Sequence, residues 1–201
     1  MNKKIVVNKS TLEGQVELSG AKNCALRLLA ASLLTCDEIE LFDSPNGLLD
    51  MQVHIEMLED LGKSIKTSKG YISISEESIK SELNWNKRSI RNTLLILGAL
   101  VTRTGYAKVP LPGGCRLGER KYDIHIMILK ELGAKVWEEG HYLCAEIKGK
   151  LKGGDLFLPM RSTGATENGI IMASLAEGQT TIWNPHIRPE IINLIEMLNS
   201  M

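Results

Sequence analysis

Three stretches of the chain share one pattern of apolar and polar positions. The first copy opens with residues 23–34, a helix-length run that is apolar almost all round, followed by a short strand at 38–42. A turn at Pro45-Asn46-Gly47 leads to a helix over 50–61, and two short strands follow around 63–65 and 71–74. In that helix Met51, Ile55, Leu58 and Leu61 recur at helical spacing, with Glu56, Glu59 and Asp60 on the other face, the signature of a half-buried helix. The second copy repeats the order with a helix at 92–101, a strand at 106–109, a turn at Pro112-Gly113-Gly114, a helix at 123–132 and strands at 134–137 and 142–147. The third, led in by Ser162-Thr163-Gly164-Ala165-Thr166, has a helix at 167–175, a strand at 180–183, a turn at Asn184-Pro185 and a helix at 190–198, and stops without its last two strands.

Pro45, Pro112 and Pro185 mark the same place in each copy, about 70 residues apart, a spacing that points to repeated supersecondary units. Leu61-Gly62 and Leu132-Gly133 are matching helix ends, with glycine where a left-handed residue closes a helix. A helix apolar on all sides must be buried on all sides. Each copy is therefore expected to place its first helix inside, with a sheet and its amphipathic second helix around it. The predicted class is α/β (α+β), with repeated units around buried helices and the third unit incomplete. The units run over about 21–80, 88–150 and 160–201.

The chemistry concentrates near the starts of those inner helices. Lys22 is expected in the first turn of the first and Arg91 in the first turn of the second, while Arg161 precedes the third. A cation there opposes the helix dipole. Three of them are explained if an anion sits where free N–H groups converge. The loop Leu111-Pro112-Gly113-Gly114-Cys115-Arg116-Leu117-Gly118 carries a thiol among glycines, with Arg120, Asp123 and His125 downstream. Nearby cations favour a reactive thiolate. Asp123 reads equally as an N-cap, and His125 as a structural or a ligand-contacting histidine.

Composition adds limits. Lys+Arg and Asp+Glu both number 24, so the net charge is zero, and bulk charge offers no case for nucleic-acid binding. Aromatic residues make up 4%, too few for a stacking platform. The four cysteines, Cys24, Cys36, Cys115 and Cys144, fit neither a zinc site nor a disulfide framework. His54, His141 and His186 show no metal spacing, and no P-loop or dinucleotide fingerprint is present. No metal or cofactor is expected. With no secretory leader and no run of apolar residues long enough to span a membrane, the expected location is the cytoplasm, with no membrane partner.

Ser19-Gly20-Ala21-Lys22-Asn23, the region of Arg91, Leu111-Pro112-Gly113-Gly114-Cys115, Gly118-Glu119-Arg120 with Asp123 and His125, and Ser162-Thr163-Gly164-Ala165-Thr166-Glu167-Asn168 together resemble the UDP-N-acetylglucosamine 1-carboxyvinyltransferase family of enolpyruvyl transferases. The resemblance follows essentially the whole chain, in order. It implies two domains of three β-α-β-α-β-β units each. It also implies transfer of enolpyruvyl from phosphoenolpyruvate to the 3-hydroxyl of UDP-N-acetylglucosamine with release of phosphate, the opening step of peptidoglycan synthesis.

Carried over by position, the resemblance gives Lys22, Arg91 and Arg120 the phosphate and carboxylate of phosphoenolpyruvate. It makes Cys115 the proton donor, a thiol that also forms a covalent adduct. Asn23 would bind the sugar nucleotide, and Arg120, Asp123, His125, Ser162, Thr163 and Gly164 would line the uridine diphosphate, with Arg161 beside them. The chain departs from the family in being about half as long, so a catalytic aspartate and a further arginine of the second domain would come from elsewhere. That source would be a second-domain chain or an assembly of like chains. Residues 3–18 read as a strand belonging to that domain. Met160 stands where the family commonly has lysine, and Lys121 replaces a usual proline. Two other readings stay open: a non-catalytic paralogue that kept the pocket, and a transferase for another nucleotide.

Overall fold

A computed structural model describes residues 4–113 and 121–201. Three inner helices form its centre: α1 (Lys22–Ala31), continued by a 3-10 turn at Ser32–Leu34, α3 (Thr93–Thr104) and α5 (Thr163–Ala173). Every residue of α3 from Thr93 to Val101 is buried, as a helix without a polar face requires. Leu29, Leu33, Ile96, Leu97, Ile171 and Met172 are fully inside. Burying such side chains stabilises by roughly 1.5–3 kcal/mol each.

Around this centre lie α2 (Leu49–Asp60), α4 (Asp123–Glu131) and α6 (Pro189–Ser200). The last packs on α1 and closes the ring. Strands β1 (Ile39–Ser44), β2 (Lys63–Ser68) and β3 (Gly70–Glu76) form an antiparallel sheet in the order β1-β3-β2. Strands β4 (Tyr106–Pro110), β5 (Lys135–Glu139) and β6 (Tyr142–Glu146) repeat it as β4-β6-β5. Opposed pairs such as Leu41 with Ile72 and Val109 with Leu143 set the two registers. The third sheet has two strands, β7 (Asp155–Phe157) and β8 (Thr181–Trp183), in parallel. A parallel bridge from Glu82 to Lys108 places a one-residue counterpart of β7 in the second unit. The second and third units thus begin as β-α-β crossovers.

Helices α2 and α4 end as their Leu–Gly pairs predict. Gly62 and Gly133 have φ of 106° and 99°. After α4 the N–H of Gly133 donates to the carbonyl of Lys130, and that of Ala134 to the carbonyl of Leu129, the paired bonds of a glycine-closed helix.

Several local readings need correction. Arg91 lies outside α3, before its N-cap Asn92. Asp123 is the first residue of α4, whose N-cap is Tyr122. On α2 the fully buried place beside Met51 and Leu58 belongs to Met57 and His54, while Ile55 is half-buried. Apart from these corrections, described residues 4–20 pair with no described strand, and Ile5, Val7, Leu12, Val16 and Leu18 are each more than 80% exposed. An extended segment takes on strand identity only when another strand accepts its backbone hydrogen bonds, and no described strand does.

Candidate functional site

The three inner helices start at one end of the molecule, and in each unit the turn after the first strand lies near the start of an inner helix. Gly20, before α1, backs onto the carbonyl of Asp43, where an added Cβ would sit 1.7 Å from the oxygen. Gly113 backs onto Ser89 in the same way, at 1.9 Å. Only glycine allows such close backbone approach. In the third unit the contact uses side chains: Thr163 Oγ1 is 2.7 Å from His186 Nδ1, and the His186 N–H donates to Thr166 Oγ1.

Between these ends opens a cavity of about 1050 Å³. Lys22, Asn23, Arg91, Asp123, His125, Ser162, Thr163 and Gly164 all line it, although they come from three units of the sequence. Arg161 is exposed and does not line it. Cys115 and Arg120 lie outside the described residues. Met160, 60% exposed, and Lys121 are on the wall.

The electrostatics are richer than a ring of cations. Lys22 Nζ lies 2.8 Å from Asp50 Oδ2, and Arg88 Nη2 lies 3.4 Å from the other oxygen of that carboxylate. The hydrogen bond from Lys22 holds the Asp50 carboxyl below the usual range, against a smaller opposing effect of burial. Arg91 Nη2 donates to the carbonyl of Lys121 at 2.8 Å, tying the approach to α3 to that of α4. Ser162 caps α5 by accepting from the Ala165 N–H.

Deeper in, Arg27 Nε meets Glu167 Oε2 at 2.7 Å, and the Glu167 side chain is completely buried. Burial raises the Glu167 carboxyl, with Arg27 pulling the other way. Glu167 Oε1 has no hydrogen-bond partner among the described residues. Arg188 and Glu190 form a further pair at 3.2 Å on the same wall. Sequence reasoning gave none of these four a role, although Glu167 lies in a stretch that carries the resemblance. A signal existed: Arg27 is the one charge in the run from Asn23 to Leu34, and Glu167 the one charge in α5.

His125 has the surroundings of a structural histidine and also lines the cavity. It is buried, its Nδ1 lies 3.3 Å from Asn168 Nδ2, and its ring packs 3.3 Å from where a Cβ on Gly164 would be. Burial, with Arg91 and Arg27 nearby, drives its pKa down to about 3, so it meets the cavity as a neutral imidazole. His54 stands at the same place in α2, counted back from the Leu–Gly pair, and is its structural twin. Its Nδ1 lies 3.2 Å from Asn92 Nδ2, which also donates to the carbonyl of Leu26. The bond to Leu26 fixes that amide, so Nδ1 accepts and Nε2 carries the proton. Gly98 makes room for the second pair, since a Cβ there would fall 2.1 Å from Asn168 Oδ1.

Among the described residues no helix is long and apolar enough to cross a membrane. The chain is 40% identical over its full length to UDP-N-acetylglucosamine 1-carboxyvinyltransferase 2 of Carboxydothermus hydrogenoformans, of which it covers 48%. It is 43% identical over 98% of its length to the UDP-N-acetylglucosamine 1-carboxyvinyltransferase of Prochlorococcus marinus, covering 44% of that protein. It spans about half the length of the curated relatives it matches. Its fold matches the enolpyruvyl transferase NikO of Streptomyces tendae with a TM-score of 0.78 at 17% identity, over 94% of this chain and 44% of that one. The EPSP synthase of Acinetobacter baumannii matches with a TM-score of 0.68 at 19% identity, over 88% of this chain and 42% of that one. Residues 6–201 match the family described as EPSP synthase (3-phosphoshikimate 1-carboxyvinyltransferase), and with this span of match the chain belongs to that family of enolpyruvyl transferases.

Proposed function

We propose that this chain forms one half of the catalytic apparatus that transfers enolpyruvyl from phosphoenolpyruvate to the 3-hydroxyl of UDP-N-acetylglucosamine in the cytoplasm, the first committed step of peptidoglycan synthesis. The observation that carries the reading is the convergence of Lys22, Asn23, Arg91, Asp123, His125, Ser162, Thr163 and Gly164 on one cavity. The names of the full-length relatives support the choice of substrates.

The chemistry suits the wall. Phosphoenolpyruvate and a nucleoside diphosphate are both multiply anionic, and Lys22, Arg88, Arg91 and Lys121 gather near the inner helix starts. Fixed cations and free helix N–H groups stabilise such anions without reorganising. In the proposed reaction the 3-hydroxyl oxygen of the sugar bonds to C2 of phosphoenolpyruvate and gives up its proton to a base. The C2–O bond to phosphate then breaks, with a proton delivered to C3 and later removed. Cys115 is assigned the delivery, because protonating an enol carbon needs a positioned acid. Arg120 joins Lys22 and Arg91 on the anion. Asn23, Asp123, His125, Ser162, Thr163 and Gly164 are assigned to the sugar nucleotide. A second half of the kind that the full-length relatives have room for supplies the remaining catalytic groups.

The test is phosphate release from phosphoenolpyruvate and UDP-N-acetylglucosamine, measured with this chain alone and with a chain carrying the other half of a relative. Release in the mixture, abolished by Cys115→Ala, is the expected outcome. Tight ligand binding with no release in any mixture overturns the catalytic reading and favours a binding paralogue.

A further inference from the structure

The cavity separates its charges by depth. Arg27 lies five positions beyond Lys22 on α1, roughly 7 Å further along the helix at 1.5 Å per residue. Near the helix starts, Lys22, Arg88, Arg91 and Lys121 stand against Asp50 and Asp123, leaving positive charge in excess. Deeper in, Arg27 is matched by Glu167, so the local charge there is balanced. This deeper pair is also unfinished. Among the described residues Arg27 uses only its Nε–H, with 16% of its side chain exposed, and the buried Glu167 leaves Oε1 unpartnered. A buried polar atom without a partner is costly unless a ligand supplies one.

We propose that the Arg27–Glu167 ion pair is a specificity-determining contact that recognises the uncharged sugar of the ligand and rejects an anionic one. Arg27 offers N–H donors and Glu167 offers an acceptor, a combination that fits the hydroxyl and amide groups of a neutral sugar. A carboxylate on the sugar meets the Glu167 charge in a desolvated corner, and like charges there discriminate strongly. Phosphates are left to the cationic rim. This inference rests on the proposed binding of a UDP-sugar.

The experiment titrates the chain with UDP, UDP-N-acetylglucosamine and UDP-glucuronate by calorimetry, as wild type, E167Q and R27Q. Wild type is expected to bind UDP-N-acetylglucosamine more tightly than UDP-glucuronate. In E167Q the uncompensated guanidinium reverses that order, strengthening UDP-glucuronate about tenfold, a charged hydrogen bond gained. R27Q weakens UDP-N-acetylglucosamine by a similar factor and leaves UDP unchanged. Should either variant unfold, as judged by circular dichroism, the other still decides the matter. Equal changes for all three ligands, or none, overturn the inference while leaving UDP-sugar binding intact. Wild type that binds no UDP-sugar overturns the functional reading itself.

Discussion

His54 and His125 show how far a single side chain reaches in this fold. Each is buried, each faces an asparagine of an inner helix, and burial drives each pKa down to about 3. In the unfolded chain an ordinary histidine titrates near 6.5. Between those values the unfolded state binds the extra proton, so stability falls as pH drops below about 6.5. Well inside that window each histidine contributes a slope of about 1.4 kcal/mol per pH unit. Urea unfolding at pH 7 and pH 5 is expected to show this loss, with His54→Leu losing about half of the slope. The raised Glu167 carboxyl works in the opposite sense, which is why the comparison between wild type and the variant is the informative one. Equal stability at both pH values contradicts the assignment. The sequence placed both histidines on the second helices and offered His125 a structural role, but did not mark His54 as buried. Their burial is set by Asn92 and Asn168, partners 38 and 43 residues away, which no local pattern encodes.

Among the elements, α3 is tied to the first unit by charge as well as by packing. Arg103, in its last turn, donates two hydrogen bonds of 2.7 Å to the two oxygens of Glu76 on β3 and others to the carbonyls of Leu33 and Thr35. Lys63 on β2 reaches the same carboxylate at 2.7 Å, with its side chain fully buried. Burial alone would raise the Glu76 carboxyl, yet the bonds from Arg103 and Lys63 hold it below the usual range. Glu76→Gln leaves a buried ammonium and a guanidinium without their counter-charge, and a loss of about 3–5 kcal/mol is expected. Urea denaturation reads this directly, and a change below about 1 kcal/mol would show that the triad is dispensable. The elements themselves were largely legible. Inner helices announced themselves by apolar residues all round, and α2 and α4 by their Leu–Gly ends. Strand β7 was not, because only Leu156 of its three residues is buried and its identity comes from pairing with β8.

For the molecule as a whole, the repeat is what makes a site. Three inner helices start at one end, three turns lie over those starts, and α6 packs on α1 to close the ring. Sequence reasoning found the repeat and eight of the residues that the cavity brings together. It read Arg161 onto the wall as well, but that side chain stays outside. It did not foresee that Lys22 shares Asp50 with Arg88. That carboxylate is supplied by a neighbouring helix, and a charge count along the chain cannot say which side chains will meet.

The central claim is that this cavity holds the sugar nucleotide. Backbone amide spectra recorded while UDP-N-acetylglucosamine is added test it most directly. The account predicts shifts concentrated at residues 22–23, 91–92, 123–125 and 162–167, reduced by Arg91→Ala. Shifts confined to the sheets, or none at millimolar ligand, would contradict it.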